Sequence, residues 1–399
     1  MSVQTTIQPA SEPPPPLVPR EWHLRLDPLL LLASLGLVAC SLVTLKGATA
    51  HDIPGDPGYY LKRQAIYAGI GLVLMYGVSR MDYSRLREWR YPLYATLIVS
   101  LLAVLGLAKA TNGAKSWIPL PGFHLQPSEI GKVLLVVALS GFLVERMREL
   151  GRHTTALVML LGLIPTMIVL AEPDFGSATV YVAGTFALLF VAGAPWRHFA
   201  ALLGLFAVAL TLSVVVAPKL GVQVLKPYQV QRLTAFLHPS ANPRDAGYNQ
   251  VEARTAIGAG EKTGRGVANA TQTSLGFLPA HQTDFIYAVI GETYGFVGCA
   301  LILSLYALLI WRGLHILTIA KNLFGALLCG GITVMLLFQL FVNIGMNVGI
   351  MPITGVTAPL LSFGGSSMLA TFLALGLLHS VNAQARETAA SKGRATVFQ

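Results

Sequence analysis

The chain has 399 residues, 54% of them hydrophobic and 12% charged, with a formal net charge of +10 at pH 7 and a mean hydropathy of +0.62. A soluble globular domain carries about 25% charged residues, so the composition excludes one and points to an all-α polytopic membrane protein. The positive balance is no argument for nucleic acid, because basic residues of membrane proteins collect in loops on one face and near anionic lipid.

Residues 1–27 are polar and proline-rich ("SEPPPPLVPREWHLRLD") and read as a disordered cytoplasmic tail without a cleavable signal. A membrane domain of residues 28–383 follows, with about ten transmembrane helices: 28–46, 63–79, 91–109, 127–144, 154–171, 176–193, 199–217, 285–311, 323–346 and 367–383. Residues 384–399 form a second cytoplasmic tail. Arg80, Arg85, Arg87 and Arg90 follow the second span, Arg146, Arg148 and Arg152 the fourth, Arg197 the sixth, and Arg312 and Lys321 the eighth. Short basic loops stay in the cytoplasm, which places both termini inside. The opposite face receives a large extracytoplasmic loop between the seventh and eighth spans, about residues 218–284. Cys40, Cys299 and Cys329 lie in apolar runs and read as small buried hydrophobes, not as a disulfide or metal set.

The polar residues that stand out all map to that outer face. "TNGAKSW" (Thr111–Trp117) offers Lys115 beside an interfacial tryptophan. "QPSEIGK" (Gln126–Lys132) opens the fourth span, with Glu129 and Lys132 at i, i+3 on one helix face. They form either an internal salt bridge or a lysine that binds a headgroup and is oriented by the glutamate. In "AEPDFGS" (Ala171–Ser177), Asp174 suits an N-cap of the sixth helix or a site carboxylate. "IGAGEKTGRG" (Ile257–Gly266) is glycine-rich and basic, either an anion cradle including Arg265 or a flexible turn cluster, and it is not a Walker A sequence. Thr283 and Asp284 precede the eighth span and suit its N-cap. Glu292 lies eight residues further on, at a depth where a carboxylate must be paired or wetted. "MPITGVTAPLLSFGGSS" (Met351–Ser367) cannot be a straight helix and must be covered by protein or line a wet cavity. Glu129, Lys132, Asp174, Asp284 and Glu292 near one leaflet argue together for a polar cavity open to that face.

These segments, with "NGAKSW", "EPDFGSA", "ATQTSLGFLPAHQTDFIYAVIGETYGFVG" and "MPITGVTAPLLSFGGSSML", occur in the order found in the SEDS family of membrane peptidoglycan polymerases, RodA and FtsW, and the chain resembles that family over nearly its whole length. "ATQTSLGFLP" is more similar to RodA. The resemblance implies a peptidoglycan glycosyltransferase that polymerises lipid II during cell elongation in the bacterial inner membrane, together with a class B penicillin-binding protein. It implies a catalytic Asp284 in the Thr283-Asp284-Phe285 motif, with Glu129, Lys132 and Asp174 in the substrate site. Departures exist. Ala280 stands where the family has a glutamate, the histidine is displaced to His281, and Thr293 replaces a second glutamate. The roles of His281 and Glu172 are left open.

On this reading Asp284 is the general base for the acceptor hydroxyl. Lys132 and Arg265 offset the departing diphosphate, and Glu292 orients its helix or tunes Asp284. No pattern requires a metal, although Mg or Mn could share the diphosphate. The rivals are a lipid II flippase, a division-type (FtsW-like) polymerase and a non-catalytic anchor. No segment holds a transpeptidase domain, so cross-linking needs a partner. Small residues of the ninth span ("FGALLCGGI", with Gly330 and Gly331) are the expected contact.

Overall fold

The computed structural model describes residues 26–50, 52–107, 117–120, 123–147, 151–201, 204 and 246–397. Among them, nine helices coincide with nine of the ten expected spans. These are α1 (Pro28–Ala48), α2 (Tyr59–Arg80), α3 (Arg90–Leu107), α4 (Pro127–Arg146), α5 (Arg152–Ala171), α6 (Phe175–Val191), α9 (Ile286–Ile319), α10 (Leu323–Val348) and α11 (Gly365–Val397). The seventh expected span and the first part of the long loop lie mostly outside the described residues. Two shorter helices, α7 (Ala246–Ala259) and α8 (Thr271–Ser274), belong to that loop. A small antiparallel hairpin, β1 (Ile118–Leu120) with β2 (Phe123–Leu125), precedes α4. By length and composition α1, α4, α5, α9, α10 and α11 can each cross a membrane, and α3 and α6 are shorter apolar helices. The chain is a multi-pass helical membrane protein.

The helices form one bundle. α4 sits at its centre, packed on α3, α5, α6, α10 and α11, while α11 runs along α2 and α9 lies between α1 and α10. Small residues permit the close approaches. A Cβ on Gly330 would meet Val191 at 2.5 Å and Leu317 at 2.9 Å, and one on Gly331 would meet Val136 at 2.7 Å and Leu188 at 2.8 Å. These glycines face the interior, so the expectation that they form a partner surface is corrected: their smallness serves the packing of α10 on α4, α6 and α9.

Several helix ends differ from the sequence reading, with α9 running on to Ile319 past the expected 311. α11 continues through Val397, beyond the expected end of the span at residue 383. Asp27, expected in the tail, is the buried N-cap of α1 and accepts the N–H of Leu30 at 3.0 Å, with Pro28 in the first turn.

Candidate functional site

α4, α6, α9 and α11 all begin at the end of the bundle opposite the arginine-rich loops. Their N-termini surround the irregular segment 351–364, so the positive ends of four helix dipoles share one region. Ser366, in the first turn of α11, ties this region together. Its hydroxyl accepts the N–H of Gln126 at 2.9 Å and donates to the carbonyl of His124 at 3.0 Å.

Asp284 lies in a tight turn ahead of α9. The carbonyl of Ala280, which has φ +52, accepts the N–H groups of Thr283 and Asp284, both at 3.1 Å. The expected cap is corrected here. α9 begins at Ile286 with Phe285 as N-cap, and no side chain caps it. Thr283 instead turns its hydroxyl back to Ala280, and its carbonyl accepts Ser362 Oγ at 2.5 Å. The carbonyl of Asp284 accepts two amides from α10, Asn343 Nδ2 at 3.1 Å and Asn347 Nδ2 at 3.0 Å. Asn347 Oδ1 also accepts the N–H of Ala288, and Phe363 N–H donates to Gln282. The backbone of the turn is thus clamped between α10 and the 351–364 segment. The half-buried carboxylate lies beside Gly355, whose Cβ, if present, would lie 3.7 Å from Asp284 Oδ2. Gly355 has φ +79, a conformation that glycine adopts without strain.

Glu129 and Lys132 form the internal ion pair that was one of the two readings. Lys132 Nζ is 2.6 Å from Glu129 Oε1, and the Lys132 and Glu129 side chains are 3% and 9% exposed. Asp174 is the N-cap of α6, accepting the N–H of Ser177 at 2.9 Å, while its other oxygen takes Gln126 Nε2 at 3.0 Å. A Cβ on Gly176 would meet the carbonyl of Thr354 at 2.7 Å, which joins the start of α6 to the residue next to Gly355. The start of α6 and Asp284 therefore approach one irregular segment, and Asp174 ties that region through Gln126 and Ser128 to the first turns of α4, which carry Glu129 and Lys132. Glu172, between α5 and α6, is fully buried, and burial together with the neighbouring Asp174 pushes its carboxyl up to about 8.

Glu292 is explained by loop residues far from it in sequence. Its carboxylate accepts the N–H groups of Gln272 at 2.8 Å and Thr273 at 3.0 Å and the hydroxyl of Thr273 at 2.7 Å, anchoring the start of α8. The glycine-rich segment is likewise no flexible cluster, and the backbone N–H groups of Gly264, Arg265 and Gly266 are taken by carbonyls. The segment docks into a break in α9 at Gly295, where φ is +63. Arg265 N–H donates to Glu292 O and Gly266 N–H to Thr293 O, while Phe296 N–H donates to Glu261 O and Val297 N–H to Lys262 O. Backbone meets backbone here, and glycine is what allows it. Arg265 Nε bonds the carbonyl of Ala259 at 2.9 Å, about two helical turns along α9 from Asp284, so the structure does not bring these two side chains together. Lys115 lies outside the described residues. Among the described residues no group of three or more His, Cys, Asp or Glu is placed to hold a metal ion.

Sequence reasoning missed Asn343, Asn347 and Ser362. The two asparagines stand i, i+4 in an apolar helix, and that spacing was the available signal. It also left His281 open. Nδ1 of this buried residue lies 3.2 Å from the carbonyl of Leu278, and Nε2 lies 3.1 Å from Asp52, which ties the Asp284 turn to the connection between α1 and α2.

A second charged cluster occupies the opposite end. Asp27 pairs with Arg312 through both guanidinium Nε (3.1 Å) and Nη2, and with Arg386 at 3.4 Å, while its N–H donates to His379 Nδ1 at 3.0 Å. Burial alone would raise the Asp27 carboxyl, but Arg312, the Leu30 N–H and Arg386 outweigh it and hold the group below the ordinary range.

Buried carboxylates at both ends of a helical bundle, one set around a broken segment between helix N-termini, define a polytopic membrane protein with a polar site at one end. Residues 24–387 match the FtsW, RodA and SpoVE family, described as cell cycle proteins, and the chain belongs to that family. It is 34% identical to stage V sporulation protein E of Bacillus subtilis, over 90% of this chain and 98% of that protein. It is also 34% identical to the peptidoglycan glycosyltransferase MrdB of Escherichia coli, over 90% and 94%. Among solved structures it is similar, with a TM-score of 0.77 and 34% identity over 91% of this chain and 99% of the other, to a chain of a peptidoglycan synthase complex that coordinates polymerization and crosslinking.

Proposed function

We propose that this chain is a peptidoglycan glycosyltransferase that polymerises lipid II into glycan strands, with Asp284 as general base. The observation that carries the role of Asp284 is the clamp on its turn. Asn343 and Asn347 hold its main-chain carbonyl, and α9 starts without using its side chain as a cap. A rigid backbone behind a carboxylate is what proton transfer at a fixed atom requires.

The donor sugar already carries a diphosphate leaving group. Asp284 takes the proton from the acceptor 4-hydroxyl as that oxygen forms a bond to the donor anomeric carbon. The bond from that carbon to the diphosphate oxygen breaks, and the electron pair leaves with the polyprenyl diphosphate. Attack opposite the leaving group inverts an α-linked donor into a β-linked glycan, without a covalent enzyme intermediate. The N-termini of α4, α6 and α11 favour the developing charge. Lys132 adds a positive charge that Glu129 now balances, so direct contact with a phosphate requires that pair to open. Asp174 fixes α4 against α6. Lys115 and Arg265 are candidates for the donor diphosphate, and Mg or Mn, where it takes part, would be held by that diphosphate.

On the same reading the Asp284 end is extracytoplasmic, both termini are cytoplasmic, and the protein resides in the bacterial inner membrane. It works in elongation beside a class B penicillin-binding protein that cross-links the new strands. The test is polymer synthesis from labelled lipid II by the purified chain with such a transpeptidase. Long glycan is expected. Transbilayer movement of lipid II without polymer would identify a flippase instead, and synthesis at the full rate with no transpeptidase would remove the partner.

A further inference from the structure

A groove of about 470 Å³ runs between α1 and α9, separate from the residues around Asp284. Ala39 and Val43 of α1 form one wall, and Tyr294, Val297 and Leu301 of α9 form the other. Tyr294 precedes the break at Gly295, while Val297 and Leu301 follow it at i, i+4 on one helix face. Val43, Val297 and Leu301 are exposed, so the groove is open to the lipid side along its length. At its end nearest Asp284 it is closed by Thr263, in the glycine-rich segment docked on the α9 break. Basic residues neighbour that end in the chain, beside the groove's uncharged lining. Exposed Lys262 adjoins Thr263, Arg265 follows two residues later, and exposed Lys46 stands in the last turn of α1. Glu261 is the acidic residue of the same segment. Ile290, also on the groove, is six residues from Asp284, about 9 Å at 1.5 Å per helical residue.

We propose that this groove holds the polyprenyl chain of a lipid-linked diphosphate, with the diphosphate at the Lys46, Lys262 and Arg265 mouth and the sugar end directed toward Asp284. This rests on the glycosyltransferase reading and locates part of its substrate. An apolar groove in a bilayer gains little from hydrophobicity, because the surrounding lipid is equally apolar. Selection must come from shape and from the charged mouth. A diphosphate ester carries more negative charge than the single phosphate of most phospholipids, and three cations close to one acid favour it. The transmembrane helix of a partner would fill the apolar walls but would leave those cations unanswered.

The experiment uses the full chain in neutral phospholipid nanodiscs and a polyprenyl diphosphate probe with a photoreactive diazirine in the chain. Crosslinks are expected on segments 39–44 and 290–302 and should be competed by unlabelled polyprenyl diphosphate but not by the polyprenyl alcohol. Val43→Trp and Val297→Trp, which fill the groove, should cut crosslinking and raise KM for lipid II roughly five-fold or more with kcat little changed. Val73→Trp, on the exposed face of α2, is the control and should change neither. Unfolding midpoints equal to wild type confirm that the variants are folded. Crosslinks outside these segments, filled variants with an unaltered KM, or capture of a partner's transmembrane helix at Val297 in place of the probe would each overturn the assignment. If the wild-type chain polymerises lipid II yet leaves no crosslink in the groove, the groove assignment fails and the glycosyltransferase reading stands. If the probe crosslinks there but no preparation polymerises, the underlying reading fails and the groove is a lipid site alone.

Discussion

The two ends of the bundle bury carboxylates in opposite ways. At the arginine-rich end, the side chain of Asp27 is consumed by Arg312, Arg386 and the Leu30 N–H. At the other end, the main chain of Asp284 is held through Asn343 and Asn347, and its carboxylate lies beside Gly355. A carboxylate whose oxygens are taken up by cations and a cap fixes structure. A carboxylate whose backbone is fixed by neighbours is positioned for chemistry. The first arrangement joins α1, α9 and α11; the second joins α9, α10 and the broken segment 351–364.

The largest effect that tests this contrast is at Asp27. Arg312→Met leaves a buried carboxylate with Arg386 as its remaining cation, and loss of one partner of a buried pair costs roughly 3–5 kcal/mol. The unfolding midpoint in detergent should fall steeply, while the polymerisation rate per folded molecule holds. Because the folded-state value of Asp27 is depressed, its contribution is present above the ordinary value of 3.8 and is lost as pH falls through the folded value. A stable Arg312→Met protein that has lost its rate would reverse the contrast.

A smaller effect is expected from Asn343→Ala and Asn347→Ala. Each removes one donor from the carbonyl of Asp284, worth about 1–3 kcal/mol. Both should lower kcat with little change in KM. Because they share one acceptor, the double variant should lose more than the sum of the single losses. Additive losses seen only in the unfolding midpoint would make them packing residues.

The smallest concerns Glu172. Burial raises its carboxyl from 4.5 to about 8 in the folded protein. The folded state therefore holds this proton more tightly, so the contribution is complete below about pH 4.5 and is lost as pH rises through about 8. Glu172→Gln should flatten this alkaline decline in thermal stability. An unchanged decline would assign it to another group.

Much of this molecule was legible in sequence because the bilayer imposes a simple rule. Long apolar runs became helices, and Pro352, Gly355 and Pro359 announced the broken segment. The i, i+3 spacing of Glu129 and Lys132 and the cap position of Asp174 also carried through, since both are local relations. What failed was tertiary. Glu292 is satisfied by residues 272 and 273, and no periodicity reveals that meeting. The glycines of 257–266 looked like flexibility or an anion cradle, but close backbone contact with α9 uses them. Asp27 directly before Pro28 was a readable N-cap signal; its arginines come from helices more than 280 residues away. The groove between α1 and α9 had no signature in either helix alone.

The central claim is that Asp284 does chemistry and not structure, and the direct measurement is the polymerisation rate of Asp284→Asn at saturating lipid II, normalised to folded protein and compared with Asp27→Asn in the same complex. Asparagine keeps the shape of the side chain and removes the base. The rate should fall by roughly 10²–10⁴-fold with the unfolding midpoint unchanged, whereas Asp27→Asn should lose stability and keep its rate per folded molecule. A wild-type rate from folded Asp284→Asn would contradict the account.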